Sequence, residues 1–321
     1  MDIDIFNGDA DGIAALQQLR LAEPRQSLLV SGVKRDIRLL DKVVAMAEHR
    51  GARLTVLDIS MATNSEPLQT LLDDDCRIFY VDHHHPGDIP EHVALESHID
   101  ADPDICTGLI VNRLLGHRYP AWGVVAAFGD NLHDAAHRLG KQCGLAEQAM
   151  AVLRELGELL NYNGYGREVA DLHFDPVQLF KAVQPYADPL EFYRQSDALA
   201  TLRQGFHDDM GKARATRPED EQESGRIYIF PNEAWARRTA GVFSNERARE
   251  KPDMGHALLV DNGQGGYVVS VRAPLNRKEG AVELCKSFPT GGGRAAAAGI
   301  NELPQGRLAE FKAAFFAAFQ S

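Results

Sequence analysis

In the stretch Arg77-Ile78-Phe79-Tyr80-Val81-Asp82-His83-His84-His85, an aspartate and three histidines follow directly on an apolar run of strand length. In an α/β protein, ligands bind outside the carboxyl ends of the strands, so side chains at such a strand end project into a site. Two further runs end in the same way. Ile3-Asp4-Ile5-Phe6-Asn7 leads into Gly8-Asp9-Ala10-Asp11-Gly12, and Leu54-Thr55-Val56-Leu57 leads into Asp58. Three strand tips thus bring Asp9, Asp11, Asp58, Asp82, His83 and His84 to one edge of a sheet, which is the outline of a metal site.

The rest of the N-terminal portion fits that reading. Up to about Pro120, short apolar runs alternate with amphipathic segments such as 37–47, a pattern that predicts βαβ units, a mostly parallel sheet and helices on both faces. From Ala121 to about Lys212 the chain reads as helices over 122–139, 145–161, 176–185 and 189–212. The charged stretch 214–225 reads as a linker. Strand patterns resume at 226–230, 256–260 and 267–271. A closing helix over 308–319 places Leu308, Phe311, Phe315 and Phe319 on one face, the stripe of a helix packed on a core. The fold class expected is α/β, with a smaller α/β C-terminal domain.

Composition narrows the function. The chain has 321 residues, 44% of them hydrophobic, enough for two ordinary cores, and 34 basic against 46 acidic side chains give a net charge of −12. A protein that tracks long nucleic acid carries a basic footprint, so long duplex is not the expected partner and a small phosphorylated substrate suits the charge better. Cys76, Cys106, Cys143 and Cys285 show no Cys-x-x-Cys spacing, which argues against a zinc knuckle and fits a reducing cytosol. No apolar run approaches the length of a bilayer span, so neither a membrane partner nor a leader is expected, and the protein reads as soluble and cytoplasmic.

The Gly8–Gly12 segment places two carboxylates two residues apart in a turn that small residues allow to bend. By itself Asp-x-Asp-Gly is also the pattern of a helix cap, and a lone Asp58 is as ambiguous. Together with His83, and with Asp130 after the apolar run 124–129, these residues form a mixed oxygen and nitrogen ligand set suited to Mn²⁺ or a similar ion. Converging carboxylates repel one another, and two divalent cations would neutralise them.

Asp82-His83-His84, with Asp9-Ala10-Asp11-Gly12, a strand-end Asp58 and Asp130, resembles the DHH phosphoesterase family, in its RecJ-like and nanoRNase-like branch. Ser270-Val271-Arg272, followed by Gly291-Gly292-Gly293-Arg294 and Ala297-Ala298-Gly299, is similar to the DHH-associated domain and its Ser-x-Arg and Gly-Gly-His…Ala-Ala-Gly motifs. The resemblance spans nearly the whole chain. It implies a DHH metal-dependent phosphoesterase domain over 1–190, a helical connector and linker over 191–225, and a substrate-binding domain over 226–321. It further implies two metal ions, usually Mn²⁺, with Mg²⁺ or Co²⁺ as substitutes. Asp9 would bind one ion, Asp11, His83 and Asp130 the other, and Asp58 would bridge them. His84 would face the scissile phosphate as charge stabiliser or proton donor, and Asp82 would orient the site from behind. His85 is assigned no catalytic role.

The chain departs from the pattern at two positions. Ile5 stands where many members have a histidine, and Arg294 replaces the histidine of the glycine-rich motif. Flanked by Arg272 and Arg294, the backbone N–H groups of the glycine run are expected to form an anion-binding nest, with Ser270 beside it. There is no following Lys-Ser or Lys-Thr, so the run is no P-loop. Lys34 and Arg35 read as a solvated surface pair. The activity implied is hydrolysis of very short oligonucleotides or linear dinucleotides, such as pGpG or pApA, to mononucleotides. Cyclic-dinucleotide hydrolysis, a RecJ-like single-strand exonuclease, a polyphosphate hydrolase and a non-catalytic nucleotide sensor are the alternatives, and a homodimer is left open.

Overall fold

A computed structural model describes residues 1–320. The chain forms two compact units, Met1–Gly205 and Phe206 onward.

In the first unit the order is β1 (Asp2–Phe6), α1 (Ala10–Ala22), β2 (Leu28–Val30), α2 (Leu39–Val44), β3 (Arg53–Leu57), α3 (Ser65–Asp73), β4 (Arg77–Asp82) and β5 (Leu95–Ile99). The five strands make one sheet in the order β2-β1-β3-β4-β5, and every pairing is parallel. Strand alternation decides its faces. Ile3 and Ile5 of β1 enter a buried cluster with Leu39, Leu40 and Val43 of α2 and Leu68, Leu71 and Leu72 of α3. Asp4 and Phe6 point the other way, where Arg20 of α1 donates to both carboxylate oxygens of Asp4 at 2.8 and 2.9 Å. In this order the chain reverses its direction of progress between β1 and β3, the position at which such sheets open a crevice above their carboxyl ends.

The remainder of the first unit is helical: α4 (Thr107–Leu114), α5 (Pro120–Gly129), α6 (His133–Gln142), α7 (Glu147–Gly164), α8 (Pro176–Val183), α9 (Pro189–Gln195) and the first half of α10 (Asp197–Ala215), whose second half belongs to the second unit. Two expected helices are each divided. The helix expected over 122–139 stops at Gly129, because Asp130 caps it and Asn131 takes a left-handed φ of 61°. The helix expected over 189–212 breaks at Ser196, whose backbone is extended. Both α8 and α9 begin with an aspartate cap followed by proline, the arrangement those sequences favour.

The second unit carries β6 (Asp220–Gln222), β7 (Gly225–Phe230), α11 (Ala234–Glu250), β8 (Gly255–Asp261), β9 (Gly266–Arg272), α12 (Ala281–Lys286), β10 (Gly291–Arg294), β11 (Ala297–Pro304) and α13 (Leu308–Phe319). Its sheet runs β10-β11-β9-β8-β7-β6 and is mixed, with only β7 and β8 parallel. The segment expected as a linker is therefore structured, because α10 continues to Ala215 and β6 pairs with β7. Alternate residues serve opposite faces. Ile227, Ala257 and Leu259 pack with Phe311, Phe315 and Phe319 of α13, while Tyr228, Phe230, Leu258 and Val260 pack with Met210, Trp235 and Phe243. Among the described residues, no helix is long and apolar enough to cross a membrane.

Candidate metal centre

The turn after β1 is fixed by backbone contact. A Cβ at Gly8 would lie 2.0 Å from the carbonyl oxygen of Gly32, and one at Gly12 would lie 2.2 Å from that of Asn7. In the space this leaves, Asp9 caps α1, and its Oδ1 accepts the N–H groups of Asp11 and Gly12, both at 3.1 Å. Asp11 sits in the first turn of α1 but reaches across to α4. Its Oδ2 accepts the Thr107 N–H at 2.8 Å and its Oδ1 that of Gly108 at 2.7 Å. The positive end of α4 thus supports a buried carboxylate.

Asp58 follows β3 with a φ of 59°, a conformation aspartate tolerates better than most residues. Its N–H donates to Val81 of β4 at 3.1 Å, which ties adjacent strand tips together, and the Thr107 hydroxyl donates to its Oδ1 at 3.4 Å. His83 leaves β4 with Nδ1 3.0 Å from the Ile105 carbonyl oxygen. A carbonyl only accepts, so Nδ1 carries the proton and Nε2 is the nitrogen free to ligate. That Nε2 faces Asp58 Oδ1 at 3.4 Å, Asp130 Oδ2 at 3.6 Å and Asp11 Oδ2 at 4.0 Å. The ligating atoms of Asp11, His83 and Asp130 lie within 4.8 Å of one another, as do those of Asp58, His83 and His84. Three carboxylate oxygens around one imidazole nitrogen fit a divalent cation with mixed oxygen and nitrogen preference. The end of α5 at Asp130 is what frees that side chain to take part.

The carboxylates respond to their surroundings in different directions. Burial, reinforced by Asp9, Asp11, Asp130 and Asp82, pushes the Asp58 carboxyl well above its ordinary range. Burial also raises Asp11, opposed by His83 and reinforced by Asp130 and Asp9. Asp9 goes the other way: burial works against its charge, but Lys34 and the Gly12 N–H hold it low. His84 is raised by its hydrogen bond to Asp82, with Nδ1 2.7 Å from Asp82 Oδ1. Asp82 is fully buried and stands behind a His84 side chain that is 42% exposed. His85 bonds only locally, accepting the Gly87 N–H.

The expectation for Lys34 is overturned. Lys34 is not a surface residue paired with Arg35; only Arg35 is exposed. Lys34 Nζ lies 2.5 Å from Asp9 Oδ2, 3.1 Å from Asn161 Oδ1 and 3.3 Å from Asp130 Oδ1. Burial disfavours its charge, yet Asp9, Tyr165 and Asp130 together hold its pKa well above the ordinary value. The loop after β2 reaches the site because β2 is the neighbour of β1, an order that strand patterns alone do not reveal. Thr107, Gly108 and Asn161 were likewise missed, since each acts from a helix end far along the chain.

The substrate-binding residues expected in the second unit lie together on its sheet. Ser270 is opposite Gly299, which is opposite Gly292, and Arg272 is opposite Ala297, which is opposite Arg294. Directly opposed residues share a face, so these form two adjacent rows. The glycine run is a strand rather than the expected nest. A Cβ at Gly291 would strike the Cys285 carbonyl, and Gly293 has a φ of 137°, whereas nothing crowds Gly292. Arg272 Nε donates to Asn245 at 2.8 Å.

No family model matches the chain, and a search of curated proteins returns no match. Solved structures do match. A manganese-bound exonuclease RecJ superposes over 98% of this chain and 89% of its own, with a TM-score of 0.59 at 18% identity. RecJ from Thermus thermophilus in complex with Mn²⁺ gives 0.57 at 17% identity over 98% of this chain, which spans only 51% of that protein. The pGpG-specific phosphodiesterase PggH from Vibrio cholerae gives 0.55 at 12% identity, over 99% of this chain and 98% of its own. At these identities the likeness concerns the fold. With an all-parallel sheet presenting Asp9, Asp11, Asp58 and His83 at its tips and a second, mixed-sheet unit, the chain shares the fold of RecJ and PggH.

Proposed function

We propose that the protein is a metal-dependent phosphodiesterase that hydrolyses very short oligonucleotides or linear dinucleotides to mononucleotides. The observation that carries this reading is the set of oxygens from Asp11, Asp58 and Asp130 around His83 Nε2. A bound Mn²⁺, Mg²⁺ or Co²⁺ would polarise the phosphate and lower the pKa of an attacking water. The chain's own groups do the rest. Asp58, shared between the β3 and β4 tips, contributes charge at the centre. His84, held by Asp82 through Nδ1, presents its other nitrogen as a cationic donor to the phosphate or to the leaving oxygen. Asp9 and Asp11 keep the turn and α4 in register, and thereby the spacing of the ligands.

Substrate size is inferred from three observations. A net charge of −12 disfavours long polyanions. The rows of Ser270 with Gly292 and of Arg272 with Arg294 offer two guanidinium groups, enough for one or two phosphates. The likeness to PggH covers nearly all of both chains, whereas the Thermus RecJ has about twice the length matched here. The likeness to RecJ favours a single-strand exonuclease as the second reading.

The test is chromatography of products from the full chain incubated with pGpG, pApA, a cyclic dinucleotide and longer single strands, in Mn²⁺ or Mg²⁺. Release of mononucleotides from linear dinucleotides, abolished by chelation and restored by Mn²⁺, is the expected result. Faster cleavage of the long strands would favour the exonuclease, opening of the cyclic substrate alone would favour that alternative, and unchanged substrates throughout would contradict the proposal.

A further inference from the structure

The site contains a cation of its own, and its position bears on how many metal ions the centre takes. An ammonium has three N–H donors and no acceptor. At Lys34 all three have partners, Asp9 Oδ2, Asn161 Oδ1 and Asp130 Oδ1. The residue is anchored at its other end as well, because its backbone N–H donates to Gly164 at 2.8 Å, and the Tyr165 ring lies 5.8 Å from Nζ. With its side chain only 24% exposed, this lysine is part of the site.

The Asp9 side has little left for a metal. Asp9 Oδ1 is engaged by two N–H groups of α1 and Oδ2 by Lys34. Ile5 on the preceding strand is fully buried in the apolar cluster behind the sheet and offers no donor. A divalent ion on Asp9 Oδ2 would bind about 2.0–2.2 Å from an oxygen that already holds the Lys34 ammonium at 2.5 Å, so two cations would compete for one carboxylate oxygen. On the Asp11 side each carboxylate oxygen of Asp11 accepts one backbone N–H, and Asp58, Asp130 Oδ2 and His83 Nε2 face one another, while Lys34 touches only the other oxygen of Asp130.

We infer that the centre takes one divalent cation, at Asp11, Asp58, His83 and Asp130, and that the Lys34 ammonium is the second positive charge, standing where a dinuclear centre would hold its other ion. This rests on the metal-dependent reading above and departs from the two ions expected from sequence. It makes the positive charge at Asp9 independent of metal supply, with Lys34 bridging Asp9 to Asp130, one of the residues around the single ion.

The test is Mn²⁺ stoichiometry of the full chain, by calorimetric titration and by electron paramagnetic resonance, without reference to turnover. The wild type is expected to bind one ion per chain with an uncoupled Mn²⁺ spectrum. Lys34→Met, which keeps the length and removes the charge, is expected to bind two and to show a spin-coupled pair, with Lys34→Gln as a second variant. Two ions in the wild type, or one ion in the wild type and in both folded variants, overturns the role given to Lys34. The wild-type count decides this even where a variant fails to fold. No ion bound by the wild type would instead overturn the metal-dependent reading itself.

Discussion

The two units present their chemistry in contrasting ways. In the first, an all-parallel sheet ends its strands at one edge, so residues as far apart as Asp11, Asp58 and His83, joined by Asp130 from the end of α5, come together. In the second, a largely antiparallel sheet spreads Ser270, Arg272, Gly292 and Arg294 over two rows of one face. The first arrangement concentrates buried carboxylates whose charge a bound cation would neutralise. The second places its two arginines two strands apart, about 10 Å, with Ala297 between them, which suits a ligand with several groups to hold. Under the proposed function the strand tips hold the metal and the sheet face of the second unit binds phosphate groups.

Substitutions in the first unit test that division most severely. Replacing Asp58 with alanine should lower kcat by about a thousandfold or more, since a metal's stabilisation of the transition state is worth several kcal/mol and each 1.4 kcal/mol is a factor of ten. Mn²⁺ content of the purified variant should fall with it. His84→Ala should cost about a hundredfold in kcat or more while leaving Mn²⁺ bound, and Asp82→Asn about ten- to a hundredfold. If His84→Ala instead emptied the site of metal, its place beside the substrate would be wrong.

A substitution in the second unit should act on binding. Arg272→Ala removes a charge-assisted hydrogen bond worth about 1.5–3 kcal/mol, so KM should rise about ten- to a hundredfold with kcat and metal content unchanged. Loss of metal from Arg272→Ala would erase the distinction between the units. Chain length gives a gentler test: kcat/KM should be highest at two to about four nucleotides and fall about tenfold toward twenty, as the acidic surface repels added phosphates. Equal cleavage of the longest strand would remove the charge argument.

The smallest effect concerns the thiols. Cys76, Cys106 and Cys285 are buried and Cys143 is exposed, and burial pushes Cys285 up to about 12. A thiol reagent should therefore label Cys143 alone in the folded chain, and the others only after unfolding. Rapid labelling of Cys285 would show that the core of the second unit opens easily.

Sequence patterns revealed the convergence because strand tips are local signals: an apolar run followed by Asp or His states both where a strand ends and what it presents. They did not reveal Lys34. Its reach depends on β2 lying beside β1, and sheet order is a property of the packed chain. Asp130 was legible as a ligand candidate but not as the end of its helix, since the break depends on the left-handed backbone of Asn131. The glycine run was read as an anion-binding nest because Arg272 and Arg294 flank its backbone N–H groups. It is a strand, because Gly291 and Gly293 are needed for close approach to Cys285 and Ala298.

Metal binding at the strand tips is tested most directly by a crystal structure of the full chain grown with Mn²⁺, read by anomalous diffraction. One peak is expected within coordination distance of Asp11, Asp58, His83 and Asp130, with Lys34 Nζ still on Asp9. The absence of any peak among these four residues would contradict a metal centre there.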